Sequence, residues 1–275
     1  MLGKSPRMPL SLASAIEAML GTPPIKGQPL SGGDLSAIFR ITLADGRDVV
    51  AKQGATASRE AVMLEAIRVT GAPAPEVLAA DGDWLFLELL RGSSGVRGAW
   101  GSLAAALALL HRDDAGTYGW PENHAFGHVE IVNTPGSDWP AFWAEHRLRC
   151  HLPHIDPALG RRIEALADRL PNLLPARPHA ALLHGDLWGG NVMTEDGRIT
   201  GLIDPACYHG HREVDVAMLT LFDAPPPAFF AALDLEPGWR ERQPIYRLWP
   251  LLVHLRLFGN SYAGSVASEL ATLGF

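Results

Sequence analysis

The most informative segment of the sequence is His184-Gly185-Asp186-Leu187-Trp188-Gly189-Gly190-Asn191, which is followed by Ile203-Asp204-Pro205. Apolar residues flank both segments, at Leu182-Leu183 and from Ile199 to Ile203, and they predict short buried strands that hold the polar side chains at their ends. Two carboxylates and one amide brought together in this way supply the oxygen ligands that Mg²⁺ prefers. The two segments therefore predict a metal-dependent site built on buried strands.

The spacing inside the first segment is typical of a kinase catalytic loop. Asp186 and Asn191 lie five positions apart, as do the Asp that receives the acceptor's proton and the Asn that binds metal in kinases. Asp204 follows in the position of the Asp of the DFG motif, although the sequence here continues Pro205-Ala206. The metal requires only the carboxylate. We therefore predict Asp186 as the catalytic base, and Asn191 and Asp204 as the Mg²⁺ ligands.

A second interpretation of these polar residues is a zinc hydrolase. Its mixed imidazole and carboxylate ligands would be His184, Asp186, Asp204, His209 and His211. A hydrolase of this kind has no need of a lysine–glutamate pair earlier in the chain, whereas a kinase requires one. The first third of the chain therefore discriminates between the two interpretations.

That first third contains such a pair. Lys52 ends the run Val49-Val50-Ala51-Lys52, which is predicted to be the second strand of a hairpin turning at Ala44-Asp45-Gly46-Arg47. In this setting a kinase lysine reaches the α- and β-phosphates of ATP. Glu60 lies on the next predicted helix and is expected to hold Lys52 through an ion pair. Glu65 on the same helix is the alternative partner.

Two other segments are candidates for contacts with ATP. Gly32 and Gly33, within Ser31-Gly32-Gly33-Asp34-Leu35-Ser36, would let backbone amides approach the phosphates, although such a segment is also an ordinary turn. Glu88 and Leu90 would offer backbone groups to adenine if they form a hinge between lobes, the alternative being a buried strand end. Neither a P-loop nor a Rossmann fingerprint is found in the sequence, which disfavours both of those folds.

The order of predicted elements indicates an α+β, protein-kinase-like fold of two lobes. Residues 1–90 are predicted to form an N-terminal lobe of antiparallel strands with one key helix, and residues 91–275 a mainly helical C-terminal lobe. We expect Ser58 to cap the key helix, and Val62 and Ile67 to lie on its apolar face. The segment from Tyr118 to Trp143 reads as irregular, and the chain from Pro244 onward as helical. An earlier amphipathic helix, rather than a signal peptide, is predicted from helical spacing at Leu12, Ile16, Met19 and Leu20.

The bulk composition narrows the classes of partner. Apolar residues make up 47% and charged residues 19% of the chain, which is typical of a folded globular protein. The net charge of −7 disfavours nucleic acid and anionic membranes as partners, because both would repel the average surface. The two cysteines, Cys150 and Cys207, are too few for a disulfide scaffold and favour a cytoplasmic protein. Oligomeric state is left open.

Over nearly its whole length the chain resembles the fructosamine kinase (ketosamine 3-kinase) family, which is related to the aminoglycoside and choline phosphotransferases. The strongest marks are HGDLWGGN at 184–191, in which Trp-Gly-Gly is much more specific to the family than the generic HGD-x-x-x-x-N of its relatives, and IDPACYHGHREVDVAM at 203–218. Supporting marks are SGGD at 31–34, VVAK at 49–52, EAVML at 60–64, and the stretch from Gly127 through Asn133 and Trp139 to Arg147-Leu148.

This resemblance implies ATP and Mg²⁺ as cofactors and a ketosamine as the acceptor, phosphorylated on its 3-hydroxyl in deglycation. It implies the same base, metal ligands, phosphate clamp and adenine hinge as above. Trp188 is expected to stack on the substrate, the alternative being a spacer between lobes, and His211 is a further candidate for substrate contact. Asp215 is expected to accept hydrogen bonds from the catalytic loop, and His184 to orient that loop. An aminoglycoside, a choline-like alcohol or another sugar is the alternative acceptor.

Overall fold

The computed structural model describes residues 10–30 and 37–275. In this part of the chain the helices are α1 (Leu10–Leu20), α2 (Ala57–Val69), α3 (Trp100–Leu110), α4 (Trp139–Trp143), α5 (Pro157–Arg169), α6 (Glu213–Phe222), α7 (Pro227–Ala232), α8 (Trp239–Phe258) and α9 (Ala263–Thr272). The strands are β1 (Pro24–Pro29), β2 (Ala37–Leu43), β3 (Asp48–Gln53), β4 (Val77–Asp81), β5 (Trp84–Glu88), β6 (Ser93–Ser94), β7 (His124–Phe126), β8 (Val129–Ile131), β9 (Ala181–Leu183), β10 (Val192–Glu195), β11 (Arg198–Leu202) and β12 (Tyr208–Gly210). The predicted glycine-rich loop with Gly32 and Gly33 lies outside the described residues.

The first five strands form one antiparallel sheet in the order β1-β2-β3-β5-β4. Because successive side chains of a strand point to opposite faces, the two faces pack against different helices. Phe86 of β5 lies in the cluster that α1 covers with Leu12 and Ile16. Its neighbours Leu85 and Leu87 lie in a second cluster with the buried face of α2. The sheet is therefore covered by a helix on each face.

The rest of the chain is mainly helical and contains two buried cores. One is continuous with the cluster that holds Leu85, Leu87 and the buried face of α2; it joins α3 and α7 to the strands that flank the predicted catalytic loop, and includes Leu103, Leu107 and Phe229. The other is rich in aromatic residues, among them Trp139 and Trp143, and is enclosed by α5, α8 and α9. Burial of large apolar side chains in these cores supplies the main driving force for this part of the fold.

Short strand pairs hold the predicted catalytic segments. β9 pairs antiparallel with β12, and β10 pairs antiparallel with β11. The chain between β9 and β10 is His184–Asn191, and the chain between β11 and β12 is Ile203–Cys207. Both polar segments therefore leave buried strands at neighbouring points, as the apolar flanks predict.

Several predicted elements are confirmed. The helix at α1 and the hairpin of β2 and β3 lie where the sequence pattern predicts them. Gly46 in the hairpin turn has φ +88°, and its amide donates to the carbonyl of Leu43 at 3.0 Å. The α+β, protein-kinase-like architecture is likewise observed, with an antiparallel sheet followed by a helical part. The boundary between residues 90 and 91 stays a prediction.

Other expectations are wrong in detail. Ser58 lies inside α2 rather than at its N-cap, which is Thr56, and Val62 is 60% exposed because the buried stripe of α2 runs through other positions. The segment predicted as irregular between Tyr118 and Trp143 contains the hairpin of β7 and β8 and the helix α4. The chain from Pro244 onward is mainly helical in α8 and α9, as predicted, although α8 already begins at Trp239. No helix in residues 10–30 or 37–275 combines the length and the apolar character needed to cross a bilayer.

Candidate active site

The ammonium group of Lys52 lies between two carboxylates. Its Nζ is 2.8 Å from Oε1 and 2.7 Å from Oε2 of Glu60 on α2, and 2.6 Å from Oδ1 of Asp204. Glu60 is buried, whereas Glu65, the alternative partner, is exposed to solvent. The structure therefore brings together three of the predicted site residues, from β3, α2 and the segment after β11.

The charge state of this cluster follows from its surroundings. Burial by itself would lower the pKa of Lys52, but the Glu60 and Asp204 carboxylates outweigh that effect and raise the pKa above its usual range. Burial raises the pKa of Glu60, and the neighbouring ammonium opposes that rise. Lys52 is therefore a permanent cation at neutral pH, suited to binding phosphate.

Asp186 and Asn191 face each other across the catalytic loop. The amide nitrogen Nδ2 of Asn191 donates to the backbone carbonyl of Asp186 at 2.8 Å and to its Oδ2 at 3.0 Å. Burial raises the pKa of the Asp186 carboxyl to about 7, since desolvation outweighs the lowering effect of the Asn191 hydrogen bond. A carboxyl group with a pKa near neutrality is well matched to accepting a proton at physiological pH.

Three hydrogen bonds join the catalytic loop to the segment that carries Asp204. The amide of Ile203 donates to the carbonyl of Asn191 at 3.0 Å, and the amide of Ala206 donates to the carbonyl of His184 at 2.9 Å. The third runs from Nε2 of His184 to the carbonyl of Ile203, at 3.0 Å. Since burial lowers the pKa of His184, its ring is neutral, with Nδ1 free to accept from the amide of Asp186. His184 orients the loop, as expected.

Asp215 on α6 anchors the start of the same loop. Its carboxylate accepts hydrogen bonds from the amides of His184, at 2.9 Å, and Gly185, at 3.0 Å, and from Nε2 of His111 at 2.9 Å. Gly185 has φ +80°, and a Cβ atom there would lie 2.1 Å from the carbonyl oxygen of Ala206. A glycine is therefore required for the turn that places Asp186 beside Asp204.

A single cleft of about 1620 Å³ opens onto these groups. It lies between the five-stranded sheet and the helical part, and Lys52, Glu60, Asp186, Asn191 and Asp204 all line it. One end of the cleft has apolar walls and includes the predicted hinge; its lining there consists of Ile38, Val50, Leu87, Glu88, Leu90, Met193 and Ile203. A flat apolar slot next to a lysine–carboxylate cluster suits a purine nucleotide.

The two hinge residues differ in what they can offer to a ligand. The amide of Glu88 already donates to the carbonyl of Glu76 at 2.9 Å, so it is not available. The amide of Leu90 makes no hydrogen bond to any residue within 10–30 or 37–275. Leu90 is thus the better placed donor of the pair.

The opposite end of the cleft has an aromatic wall. Trp188 is 40% exposed, and its ring meets the edge of Phe222 with the ring centroids 5.9 Å apart. The other residues of this wall are Met218, Val253, His254, Leu257, Phe258 and Tyr262. We call this set, with Trp188 and Phe222, the acceptor wall. Apart from Trp188, sequence periodicity could not have identified this wall, because its other members come from α6, α8 and the turn before α9.

The structure does not bring His211 to the cleft. This side chain is 1% exposed, and its Nδ1 lies 2.8 Å from the hydroxyl of Tyr246 inside the aromatic core. His209 is also turned away, because its Nε2 lies 3.0 Å from Oδ2 of Asp113. In the described part of the chain there is no group of three His, Cys, Asp or Glu side chains that could hold a metal ion. The zinc interpretation is therefore wrong.

Two polar features, one in the cleft lining and one against the catalytic loop, were missed at the level of sequence. Asp223, just after α6, accepts a hydrogen bond from the amide of Gly189 at 2.7 Å. His124 of β7 is buried in the cleft lining, and among the described residues its Nδ1 has no hydrogen-bond partner. Neither residue belongs to a local motif, so only the folded chain identifies them.

Comparisons with known proteins agree with this geometry. The family model described as fructosamine kinase matches residues 11–273. A protein of Lactiplantibacillus plantarum named "probable ketoamine kinase" is 32% identical over 258 residues, which are 87% of this chain and 91% of that protein. The solved structure of a candidate fructosamine-3-kinase from Thermobifida fusca YX-ER1 superposes with a TM-score of 0.86 at 30% identity, covering 96% of this chain and 98% of that one.

A more distant likeness concerns the fold alone. Aminoglycoside phosphotransferase APH(4)-Ia, solved with AMP-PNP and hygromycin B, has a TM-score of 0.64 at 17% identity, with 97% of both chains covered. The protein-kinase-like fold thus extends across small-molecule phosphotransferases of low sequence similarity. With a family model matched over nearly its whole length, this chain belongs to the fructosamine kinase family and is a phosphotransferase.

Proposed function

We propose that this protein transfers the γ-phosphoryl group of ATP to the 3-hydroxyl of a ketosamine. The observation that carries the proposal is the meeting of the Lys52–Glu60–Asp204 cluster with Asp186 and Asn191 in one cleft. A ketosamine is the sugar adduct that forms when an amine condenses with a sugar. Phosphorylation at the 3-position makes such an adduct prone to fall apart, so the proposed role is deglycation in the cytoplasm.

The donor groups fit Mg²⁺. Asp204 uses Oδ1 for Lys52, which leaves Oδ2 for a cation, and Asn191 uses only Nδ2 within the loop, which leaves its oxygen. Mg²⁺ is usually held by one or two protein oxygens together with phosphates and waters, so a larger acidic cluster is not needed. When bound, the ion would offset the negative charge of the β- and γ-phosphates.

The remaining chemistry falls to side chains of this protein. Lys52 binds phosphate oxygens, and the backbone around Leu90 faces the adenine. Asp186 aligns the acceptor hydroxyl and takes its proton as the new oxygen–phosphorus bond forms and the bond to the bridging β,γ-oxygen breaks, which releases ADP. Positioning and electrostatics account for the catalysis in this scheme, and no covalent enzyme intermediate is required.

The acceptor wall supports an amine-linked sugar over an aminoglycoside. No residue of the acceptor wall carries a carboxylate that would recognise a polycation; its residues are Trp188, Met218, Phe222, Val253, His254, Leu257, Phe258 and Tyr262. Aromatic faces of this kind stack on sugar rings and on the apolar arm of a substituted amine. Trp188 is the residue proposed to make that contact.

An acceptor panel tests the proposal. Release of ADP would be measured with fructosyl-, ribulosyl- and erythrulosyl-amines beside aminoglycosides and choline, and the phosphorylated carbon would be located by NMR. We expect turnover with the ketosamines and a phosphate on the 3-oxygen. Turnover only with aminoglycosides or choline would reassign the acceptor, and absence of ADP release with every acceptor would identify a non-catalytic nucleotide-binding protein. Asp186→Asn is the matched inactive control for background ATP hydrolysis.

A further inference from the structure

The carboxylate of Asp223 contacts the catalytic loop at Gly189 and takes no part in the Lys52–Glu60–Asp204 cluster. Its Oδ2 accepts the hydrogen bond from the amide of Gly189, and a Cβ atom on Gly189 would lie 2.6 Å from its Oδ1. Hydrogen bonds to an ionised acceptor are shorter and stronger than neutral ones. The contact is therefore both tight and directional, and it exists only because position 189 has no side chain.

The next glycine accommodates the ring of Trp188. A Cβ atom on Gly190 would lie 2.3 Å from ring atoms of Trp188, so the indole lies directly over that glycine. The edge of Phe222 supports the ring from the side. Phe222 and Asp223 are consecutive residues at the C-terminal end of α6. One short piece of chain thus holds both the ring of Trp188 and the backbone that follows it.

Helix α6 therefore holds the catalytic loop at two points. Asp215 in its first turn binds the amides of His184 and Gly185, and Asp223 at its C-cap binds the amide of Gly189. The first contact lies next to Asp186, whereas the second lies between Trp188 and Gly190. The two carboxylates thus stabilise different parts of the loop, the base in one case and the acceptor wall in the other.

We propose that Asp223 is a positioning residue that fixes Trp188 against Phe222 and so determines affinity for the acceptor, with little influence on ATP. The identity of the acceptor in this inference rests on the proposed function, whereas the contact between Asp223 and Gly189 does not depend on it. Asp186 keeps its hydrogen bond with Asn191, the preceding Gly185 keeps its bond to Asp215, and Lys52 keeps Glu60 and Asp204. Loss of Asp223 would therefore free Trp188 of the acceptor wall to move and leave the residues proposed to bind ATP in place.

The kinetic test compares Asp223→Ala with Asp223→Asn, which retains an oxygen acceptor for the Gly189 amide. We expect Asp223→Ala to raise KM for the ketosamine about tenfold while KM for ATP stays within about twofold, and Asp223→Asn to recover most of the loss. Asp83→Ala is the matched control, because Asp83 is an exposed carboxylate whose side chain makes no hydrogen bond in the described part of the chain. Equal changes in both KM values, or an Asn variant as poor as the Ala variant, would overturn the proposal.

A double-mutant cycle isolates the contact from general effects on stability. In the wild-type background Gly189→Ala places a methyl group against the Asp223 carboxylate, and we expect a large rise in KM for the acceptor. In the Asp223→Ala background the three atoms nearest to that methyl group are removed, so the added penalty should be much smaller. Strictly additive effects of the two substitutions would show that the residues do not act through each other.

A third measurement needs no substrate. Amide hydrogen exchange of the loop peptide should be about tenfold faster at Gly189 in Asp223→Ala than in the wild type, with His184 and Gly185 unchanged because Asp215 still holds them. If the exchange rate of Gly189 does not change, the positioning role is wrong. If exchange at Gly189 becomes faster in Asp223→Ala but no ketosamine is ever phosphorylated, the role of the contact is supported and the proposed function is wrong.

Discussion

Lys52 Nζ lies 2.6 Å from Asp204 Oδ1, although 152 positions separate the two residues in the chain. The contact joins the five-stranded sheet to the segment after β11, which lie on opposite sides of the cleft. Because Glu60 holds the same ammonium from α2, the Lys52 ammonium joins two neighbouring elements, β3 and α2, to a distant part of the chain. The proposed binding of a metal–nucleotide complex depends on this meeting.

Asp204→Ala should abolish the part of nucleotide binding that depends on Mg²⁺. The carboxylate oxygen that is not bonded to Lys52 is the proposed metal ligand, so its loss removes the ion rather than the adenine contacts. Titration calorimetry with ATP would be run with and without Mg²⁺. We expect the wild type to bind more tightly with the metal, and the variant to bind with the same weak affinity in both buffers. A variant that still responds to Mg²⁺ would remove Asp204 from the metal site.

Asp186→Asn should abolish turnover while nucleotide binding is retained. The substitution keeps the shape of the side chain but removes the proton acceptor, which typically lowers kcat by about 10²- to 10⁴-fold. Steady-state kinetics and ATP titration would be measured on the same preparation. Asp196→Asn is a matched control, since Asp196 is exposed in the turn between β10 and β11. Near-normal turnover by the Asp186 variant would show that the base lies elsewhere.

The pH dependence of kcat/KM for the acceptor should report the ionisation of Asp186. The base must be deprotonated to act, and burial raises its pKa to about 7. The rate constant should therefore fall about tenfold per pH unit at acidic pH and reach a plateau above about pH 8. In Asn191→Ala the hydrogen bond that lowers this pKa is lost, so the inflection should move to higher pH. An inflection near the ordinary value for aspartate would contradict the assignment.

Gly185→Ala should destabilise the protein much more than Gly98→Ala. The two glycines have nearly equal φ, +80° and +79°, but a Cβ at Gly185 would lie 2.1 Å from the carbonyl oxygen of Ala206, whereas a Cβ at Gly98 has no atom within 4 Å. Backbone strain alone costs about 1–2 kcal/mol, and the added clash should bring the loss at Gly185 to about 3 kcal/mol or more. Urea unfolding measures both. Equal losses would show that the loop can move to admit a side chain.

Much of this protein was predictable from local sequence. The fold can be identified from residue type, spacing and order along the chain. The residues that carry this information are the run His184–Asn191, the later Asp204, and Lys52 with Glu60. The strands around them are apolar, and the helices α1, α3 and α5 show regular apolar periodicity. Information of this kind is contained in a few neighbouring residues, and packing elsewhere in the molecule does not change it.

Only the tertiary structure decided which other side chains reach the cleft. His211 shares a motif with Asp215 yet points into the aromatic core, where its Nδ1 lies 2.8 Å from the hydroxyl of Tyr246 on α8. Phe222 and Asp223 show no recognisable pattern and nevertheless contact Trp188 and Gly189. Local sequence specifies the backbone conformation of each element, whereas the direction that a side chain faces depends on how elements distant in the chain pack together.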